Sequence, residues 1–253
     1  SSAGGKQWSM ERCTIDWLSN TNGPAVGIYI GGDTRGYVRY NTLTNFLGNP
    51  NGVIGDLPGK VVGIWVCTPL LSGAGVPQEV TIEKNVIERI GDGEDSEAVH
   101  VLGSPLAWQH GVCPVTISDN EIRDIGTSPV KLSAGGVRVI GNRIYFPSFD
   151  GLPVASGWAR TRGFKIVEAN LGRSYGEGNE WIQNIVEASN SDSILSLSSN
   201  EVTASRTIIR GNIIRTNSAV AISTNSLLEG ILSYQSAAED VELVGNFITA
   251  RNK

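Results

Sequence analysis

The sequence contains few of the residue types that mark metal-binding and disulfide-stapled proteins. It has one methionine, two histidines and three cysteines in 253 residues. The cysteines, Cys13, Cys67 and Cys113, are odd in number and lack a Cys-x-x-Cys spacing, so they indicate neither a disulfide framework nor a zinc site. We interpret them as free thiols that are mostly buried, with one disulfide left open as the alternative.

Other features that the sequence lacks limit the kinds of partner that the chain could bind. No run of about 18 apolar residues is present, so we expect no membrane partner. The net charge is −5 and only 18% of the residues are charged, which gives no support for binding to nucleic acid. No segment has the pattern of a signal peptide, and a start at Ser1 without methionine predicts a processed chain or an excised domain.

What the chain does contain is an internal repeat, which is the first feature to consider in deciding an architecture. The segments that start at Val80 and Val115 share Val, Thr, Ile, Asn, Ile and Gly at equivalent positions. The pattern Val-x-Ile-x-x-Asn-x-Ile recurs, in full or in part, around Asn41, Asn85, Asn120, Asn142, Asn212 and Asn246. Asn184 fits it poorly, and Asn20 is a candidate for a first, incomplete turn.

The alternation of apolar and polar residues in each repeat predicts short β-strands with one buried face. A second set of strands with the same alternation precedes them, for example at 26–30 and 62–66. We expect each asparagine to form a bend in the left-handed conformation, and the asparagines of successive turns to stack into a hydrogen-bonded ladder. The chain would then coil on itself, with parallel strands about 4.8 Å apart.

The asparagine pattern and the preceding strands resemble the right-handed parallel β-helix of the pectin-lyase-like superfamily, which includes phage tailspikes. The resemblance covers residues 20–250 and implies an all-β fold, a right-handed parallel β-helix (solenoid) of about seven coils. We expect a single domain over residues 1–253, with residues 1–20 as an N-terminal cap or an incomplete first coil. A β-sandwich with many short strands is the alternative.

The predicted outer face of the second set of strands carries the candidate catalytic residues. Stacking these strands predicts two outward rows: Gly27, Gly63, His100, Lys131 and Lys165 in the first, and Tyr29, Trp65 and Leu102 in the second. Aromatic faces suit sugar rings, and a cationic row suits a uronic-acid or sulfated polymer. In a lyase, His100 or a lysine would be the base, and Lys131 or Lys165 would neutralise the carboxylate. Ordinary solvated side chains are the alternative.

Three loops add further candidate residues. The carboxylates Asp92, Glu94, Asp95 and Glu97 could form the acid and base, or acid and nucleophile, of a hydrolase, bind a calcium ion, or be a solvated acidic loop. Trp108 and His110 predict a ligand wall or a lid over one end of the core. Arg160, Arg162 and Arg173 lie in or beside the long segments 149–163 and 170–180, where they could bind carboxylates or reflect ordinary loop variation.

These features predict a polysaccharide-acting protein, with a lyase that cleaves an acidic polysaccharide preferred over a glycoside hydrolase. The alternatives are a non-catalytic carbohydrate-binding or receptor-binding domain of a phage tailspike or adhesin, and a structural spacer. The expected partners are a polysaccharide substrate or receptor glycan, and a homotrimer or partner chain that covers the open C-terminal coil. We expect no cofactor, with a bound calcium ion as the alternative, and an extracellular or virion-associated location.

Overall fold

The protein was analysed in a computed structural model that describes the residues of its strands and their connecting corners. The described residues are 6–20, 24–31, 34–48, 60–67, 79–91, 95–102, 114–126, 128–146, 162–166, 178–188, 193–196, 206–216, 220–223 and 242–250. Their regular structure is β-strand throughout, without a helix in these ranges. The described part of the chain accordingly holds no helix long and apolar enough to cross a membrane.

The strands form three sheets. The first sheet contains β1 (Lys6–Glu11), β4 (Thr34–Arg39), β7 (Glu79–Glu83), β10 (Val115–Ser118), β13 (Arg138–Ile140), β16 (Glu180–Ile182), β19 (Ile208–Arg210) and β22 (Glu242–Val244). The second contains β2 (Thr14–Asp16), β5 (Thr42–Leu47), β8 (Val86–Gly91), β11 (Glu121–Ile125), β14 (Arg143–Phe146), β17 (Ile185–Ala188), β20 (Ile213–Thr216) and β23 (Phe247–Ala250). The third contains β3 (Ala25–Gly31), β6 (Lys60–Cys67), β9 (Asp95–Leu102), β12 (Ser128–Ser133), β15 (Arg162–Ile166), β18 (Ser193–Ser196) and β21 (Val220–Ser223).

The order of the strands defines the fold as an all-β parallel β-helix. The chain visits the first, second and third sheets in turn, and each strand pairs in parallel with the strand one coil away, as β4 does with β7 and β5 does with β8. Every pairing found among the described strands is parallel, whereas a sandwich needs antiparallel neighbours. The prediction of an all-β parallel β-helix is therefore confirmed.

Stacked apolar side chains form the core. In the first sheet, Val38, Ile82, Ile117 and Val139 are register partners in successive coils, and all four have an exposed fraction of 0%. Period-2 alternation places the residues between them on the outer face. Because burial of one such side chain contributes about 1.5–3 kcal/mol, a repeated inward row stabilises every coil in the same way.

A ladder of asparagines runs along the corner between the first and second sheets. The Nδ2 group of each asparagine donates to the Oδ1 atom of the next at 2.9–3.0 Å, in the order Asn41, Asn85, Asn120, Asn142, Asn184, Asn212 and Asn246. The same amides also bond the backbone of the preceding coil: Asn120 Nδ2 donates to Ile82 O at 2.9 Å, and Asn85 N donates to Asn120 Oδ1 at 3.0 Å. The predicted ladder exists, and it includes Asn184, which the sequence pattern ranked as a poor member.

The bend itself is made by the residue before each asparagine. Tyr40, Lys84 and Asp119 have φ values of 58°, 55° and 54°, and Gly141 has a φ of 66° at the same position of its coil. The expectation that asparagine would take the left-handed conformation is therefore wrong. The asparagine keeps a negative φ because its side chain must point inward to reach its neighbours, so the preceding residue turns the chain.

The N-terminal residues join the sheets as strands. β1 pairs in parallel with β4, and β2 pairs with β5. The corner between them is occupied by Cys13, whose backbone N donates to Asn41 Oδ1 at 2.9 Å. Cys13 therefore takes the ladder position of this first coil, while Asn20 lies elsewhere and donates to Pro24 O at 3.1 Å.

Replacement of a central rung of the ladder should destabilise the protein strongly. Asn120→Ala removes the acceptor of Asn85 N and the donor to Ile82 O. Both backbone groups then remain unsatisfied in the buried corner. Because an unsatisfied buried polar group costs about 1–3 kcal/mol, we expect a loss of about 3 kcal/mol or more in the free energy of unfolding. Urea unfolding followed by circular dichroism measures this loss.

The end rung provides the matched control for this experiment. Asn246 is only half-buried and is the last asparagine of the described ladder, so water can replace part of its bonding. Asn246→Ala should therefore cost clearly less than Asn120→Ala. Equal losses for the two variants would contradict a ladder whose strength comes from burial.

Candidate functional site

The outer face of the third sheet carries the predicted row, with one correction of register. Trp65 is the partner of His100 across β6 and β9, and His100 is the partner of Lys131 across β9 and β12. Tyr29 pairs with Trp65, and Lys131 with Lys165. The aromatic residues and the basic residues therefore occupy one continuous row along the coil axis, whereas the sequence analysis had assigned them to two rows.

The glycines that had been assigned to the basic row do not belong to it. A Cβ atom on Gly27 would lie 2.3 Å from the ring of Phe46, which is a fully buried core residue, so this position faces inward. A Cβ atom on Gly63 would lie 2.6 Å from Ala98 O and 3.1 Å from Ile87. The expected outward position of Gly27 and Gly63 is wrong because the register omits both residues, so the alternation of faces breaks there. The close contacts leave no room for a side chain at either position.

Three rings stack along the first half of the row. The ring centroids of Tyr29 and Trp65 are 6.0 Å apart in an edge-on arrangement at 81°. The ring centroids of Trp65 and His100 are 5.9 Å apart, and the two planes are nearly parallel at 4°. Tyr29 has an exposed fraction of 58%, so the row begins with an open aromatic surface.

A buried carboxylate joins the basic residues. Glu97 has an exposed fraction of 0%, and its Oε1 atom lies 3.1 Å from Lys131 Nζ and 3.5 Å from Lys60 Nζ. Lys60 Nζ also lies 5.4 Å from the ring centroid of Trp65, at cation–π distance. Sequence reasoning missed Lys60, although its place two residues before the alternating segment 62–66 was visible in the sequence.

The charged part of the row is shielded from solvent, a property that the sequence pattern does not indicate. His100 and Lys131 each have an exposed fraction of 4%. The alternative interpretation of these residues as solvated side chains is therefore wrong, as is the solvated-loop interpretation of Glu97, which lies inside β9. Charges in such a place interact more strongly than charges in water, because the surrounding dielectric constant is lower.

The remaining predicted residues divide into two groups. The backbones of Asp95, Arg162 and Lys165 lie in strands of the third sheet, at register positions opposite Lys60, Ser193 and Lys131. The other candidates lie outside the described residues: Asp92, Glu94, Trp108, His110, Arg160 and Arg173. Within the described ranges, no group of three or more His, Cys, Asp or Glu side chains could hold a metal ion.

An open groove on the second sheet is the feature that sequence reasoning missed altogether. It has a volume of about 610 Å³ and lies over β11, β14 and β17, with Arg143 and Tyr145 at its centre. At its edge, burial raises the pKa of the Asp124 carboxyl, while the nearby charges of Arg89 and Arg123 oppose that rise. The only sequence signal was the Arg-x-Tyr pair that follows Asn142.

Comparisons with family models, curated proteins and solved structures found no match to this chain. The class of the protein, a parallel β-helix, therefore stands on its own strand pairing. Its function must be argued from the third-sheet row and from the second-sheet groove.

Removal of the Glu97 charge should destabilise the protein. In Glu97→Gln, Lys60 and Lys131 lose the carboxylate that offsets their charges in a shielded environment. Breaking a buried ion pair costs about 3–5 kcal/mol, so we expect a loss of that order in urea unfolding. Glu242→Gln is the control, because its pair with Arg210 is about half exposed on each side and should contribute less than about 1 kcal/mol.

The partial burial of Asp124 predicts a pH-dependent stability. Its pKa is higher in the folded chain than the usual 3.8, so the folded state holds the proton more tightly than the unfolded state does. The stability that this proton contributes is fully present below the pKa of Asp124 in the unfolded chain. It is lost as the pH rises through the pKa of Asp124 in the folded chain.

Asparagine tolerates the φ of 50° at this position. Asp124→Asn should therefore remove the loss of stability at higher pH. The variant should therefore resist urea better than the native protein near pH 7, and its advantage should vanish near pH 3. Equal differences in urea midpoint at both pH values would contradict the assignment.

Proposed function

We propose that the protein acts on an acidic polysaccharide, and that it cleaves this polymer by β-elimination at the third-sheet row. The observation that carries this proposal is the continuous line of Tyr29, Trp65, His100 and Lys131 along the coil axis. Successive coils repeat at about 4.8 Å, so an extended polymer laid along the axis would meet aromatic rings, then the imidazole, then an ammonium group.

The chemistry assigns a different role to each side chain. The His100 imidazole would take the proton from the carbon next to the uronate carboxylate, and Lys131 would stabilise the negative charge that develops there. Lys131 acts as a cation rather than as the base, because its ammonium group is paired with Glu97. As the C–H bond breaks, a C=C bond forms and the glycosidic C–O bond breaks. The departing sugar oxygen takes a proton from water, and the protonated His100 returns its proton to solvent.

The indole of Trp65 supports a polar ligand at the row. Its Nε1 atom is buried and donates no hydrogen bond within the described structure. An unsatisfied buried donor costs about 1–3 kcal/mol, and a sugar hydroxyl or ring oxygen beside the indole would remove that cost. The combination of a parallel β-helix with an asparagine ladder also supports membership of the pectin-lyase-like superfamily, with an extracellular or virion-associated location.

A second candidate function is non-catalytic glycan binding, as in a tailspike or adhesin domain. The low exposure of His100 and Lys131 favours it, since a base must contact its substrate directly. A non-catalytic binding domain of this kind would also have a partner chain that covers its C-terminal coil. Leu243 and Ile248 have exposed fractions of 54% and 44%, although their register partners Ile209 and Ile214 are buried.

His100→Gln separates the two candidates, because glutamine keeps a polar side chain but cannot act as the base. In a lyase, turnover of a uronate polymer should fall by a factor of about 10²–10⁴, measured by the absorbance of the unsaturated product. Binding of the polymer to the variant should remain within a few-fold of the native value.

Arg138→Gln, an exposed change on the first sheet, is the control and should leave turnover unchanged. Native protein that binds a uronate polymer without releasing any unsaturated product would support the second candidate instead. Native protein that neither binds nor cleaves any uronate polymer would overturn the cleavage proposal, and native protein that binds no glycan would overturn both.

A further inference from the structure

The second sheet carries a groove on its outer face, away from the row on the third sheet. Its volume of about 610 Å³ lies inside the range of about 300–1,000 Å³ that is usual for ligand sites. The polar side chains that matter most for its chemistry are Glu121, Arg123, Arg143, Tyr145, Glu187 and Arg215.

Register places these side chains in two parallel rows. Arg123, Tyr145, Glu187 and Arg215 are partners in successive coils, while Arg143 lies beside Glu121 in the neighbouring row. Arg143 and Tyr145 are two residues apart in β14, so both side chains leave the same face at a separation of about 6.6 Å. Their strand is the middle one of the five that line the groove.

The two arginines that flank the centre are already paired. Arg123 is bonded to Glu121, and Arg215 is bonded to Glu187. Arg143 is exposed and forms no ion pair within the described part of the chain, because Glu121, its neighbour across the strands, is turned towards Arg123. The centre of the groove therefore presents one guanidinium fork between two neutralised pairs.

Tyr145 supplies an apolar surface next to this fork. Its exposed fraction is 45%, high for a large aromatic side chain on a sheet whose inner face is buried. The ring lies between Arg123 and Glu187 in its row. A ring-shaped ligand that rests on Tyr145 would thus have Arg143 at one edge and carboxylate oxygens within reach of its hydroxyl groups.

The charge balance of the lining limits the ligand further. Three arginines and four carboxylates face the groove, so it has no excess of positive charge and offers no net attraction to a densely charged polyanion such as a sulfated polymer. A single carboxylate suits the guanidinium of Arg143, which can bind it through two parallel hydrogen bonds. Several hydroxyl groups on the same ligand could donate hydrogen bonds to the neighbouring carboxylates.

From this combination we infer that the groove is a binding site for one uronic-acid unit of a saccharide, with its carboxylate on Arg143 and its ring on Tyr145. The site goes beyond the proposed cleavage, since it lies on a different sheet and uses none of the residues of the third-sheet row. It would hold an acidic saccharide whether or not the chain cleaves one.

The test follows the Arg143 side chain directly, by nuclear magnetic resonance on protein labelled with ¹⁵N-arginine. The Nε–H signal of Arg143 is assigned by its loss in Arg143→Lys. The probes are trisaccharides of galacturonate, glucuronate and mannuronate, each with a neutral counterpart whose carboxyl groups are reduced. We expect at least one uronate trisaccharide to shift the Arg143 signal, whereas the neutral counterparts should not, and Arg138 on the first sheet should not respond.

Variants give the affinity side of the same test. Arg143→Gln should weaken binding of the active trisaccharide about tenfold or more, as expected for the loss of a hydrogen bond to a charged group. Tyr145→Ala should weaken it several-fold through loss of the ring contact. His100→Gln should leave the Arg143 shift intact even where it abolishes product formation, so failure of the cleavage proposal and failure of this site are distinguishable.

Three results would overturn the inference. The first is no shift of the Arg143 signal with any uronate trisaccharide at millimolar concentration. The second is an equal shift with the neutral counterparts, which would remove the role of the carboxylate. The third is an Arg143 shift that disappears in His100→Gln, which would assign the binding to the third sheet.

Discussion

The asparagine ladder is the interaction on which the rest of this structure depends. Each amide bonds the amide of the next coil and also the backbone of the preceding coil. One residue type thereby satisfies several buried polar groups at a corner that lies outside the sheets. Because the bonds run along the coil axis, they hold successive coils at one spacing. That spacing is what brings side chains from distant parts of the chain into straight rows.

The two candidate sites use this regular spacing in different ways. On the third sheet, Lys60, Glu97 and Lys131 form a shielded charge network beside the stacked rings of Trp65 and His100. On the second sheet, the arginines and carboxylates are exposed, and most of them neutralise each other in pairs. The first arrangement suits electrostatic stabilisation of a developing charge, and the second suits reversible recognition of a ligand from solvent.

The limits of sequence reasoning are clearest in the register of the third sheet. A shift of two residues leaves every side chain on the same face, so the hydrophobic alternation is equally satisfied by Val62 or Ile64 opposite Val99. The structure selects Ile64, since this register stacks Trp65 on His100 and lets Gly63 approach Ala98. The stack and the close glycine contact are both tertiary, which is why the aromatic and basic residues were first assigned to separate rows.

The sequence by itself determined the parallel coil, because a fixed offset between strand and asparagine repeats only when each turn meets the next in the same way. It also determined the order His100, Lys131, Lys165, since these strands align without a shift. Only the tertiary structure decided the burial of Glu97 and the absence of an ion pair at Arg143 among the described residues. Both depend on which of several nearby charges meet after the coils stack, and a one-dimensional pattern carries no distances between coils.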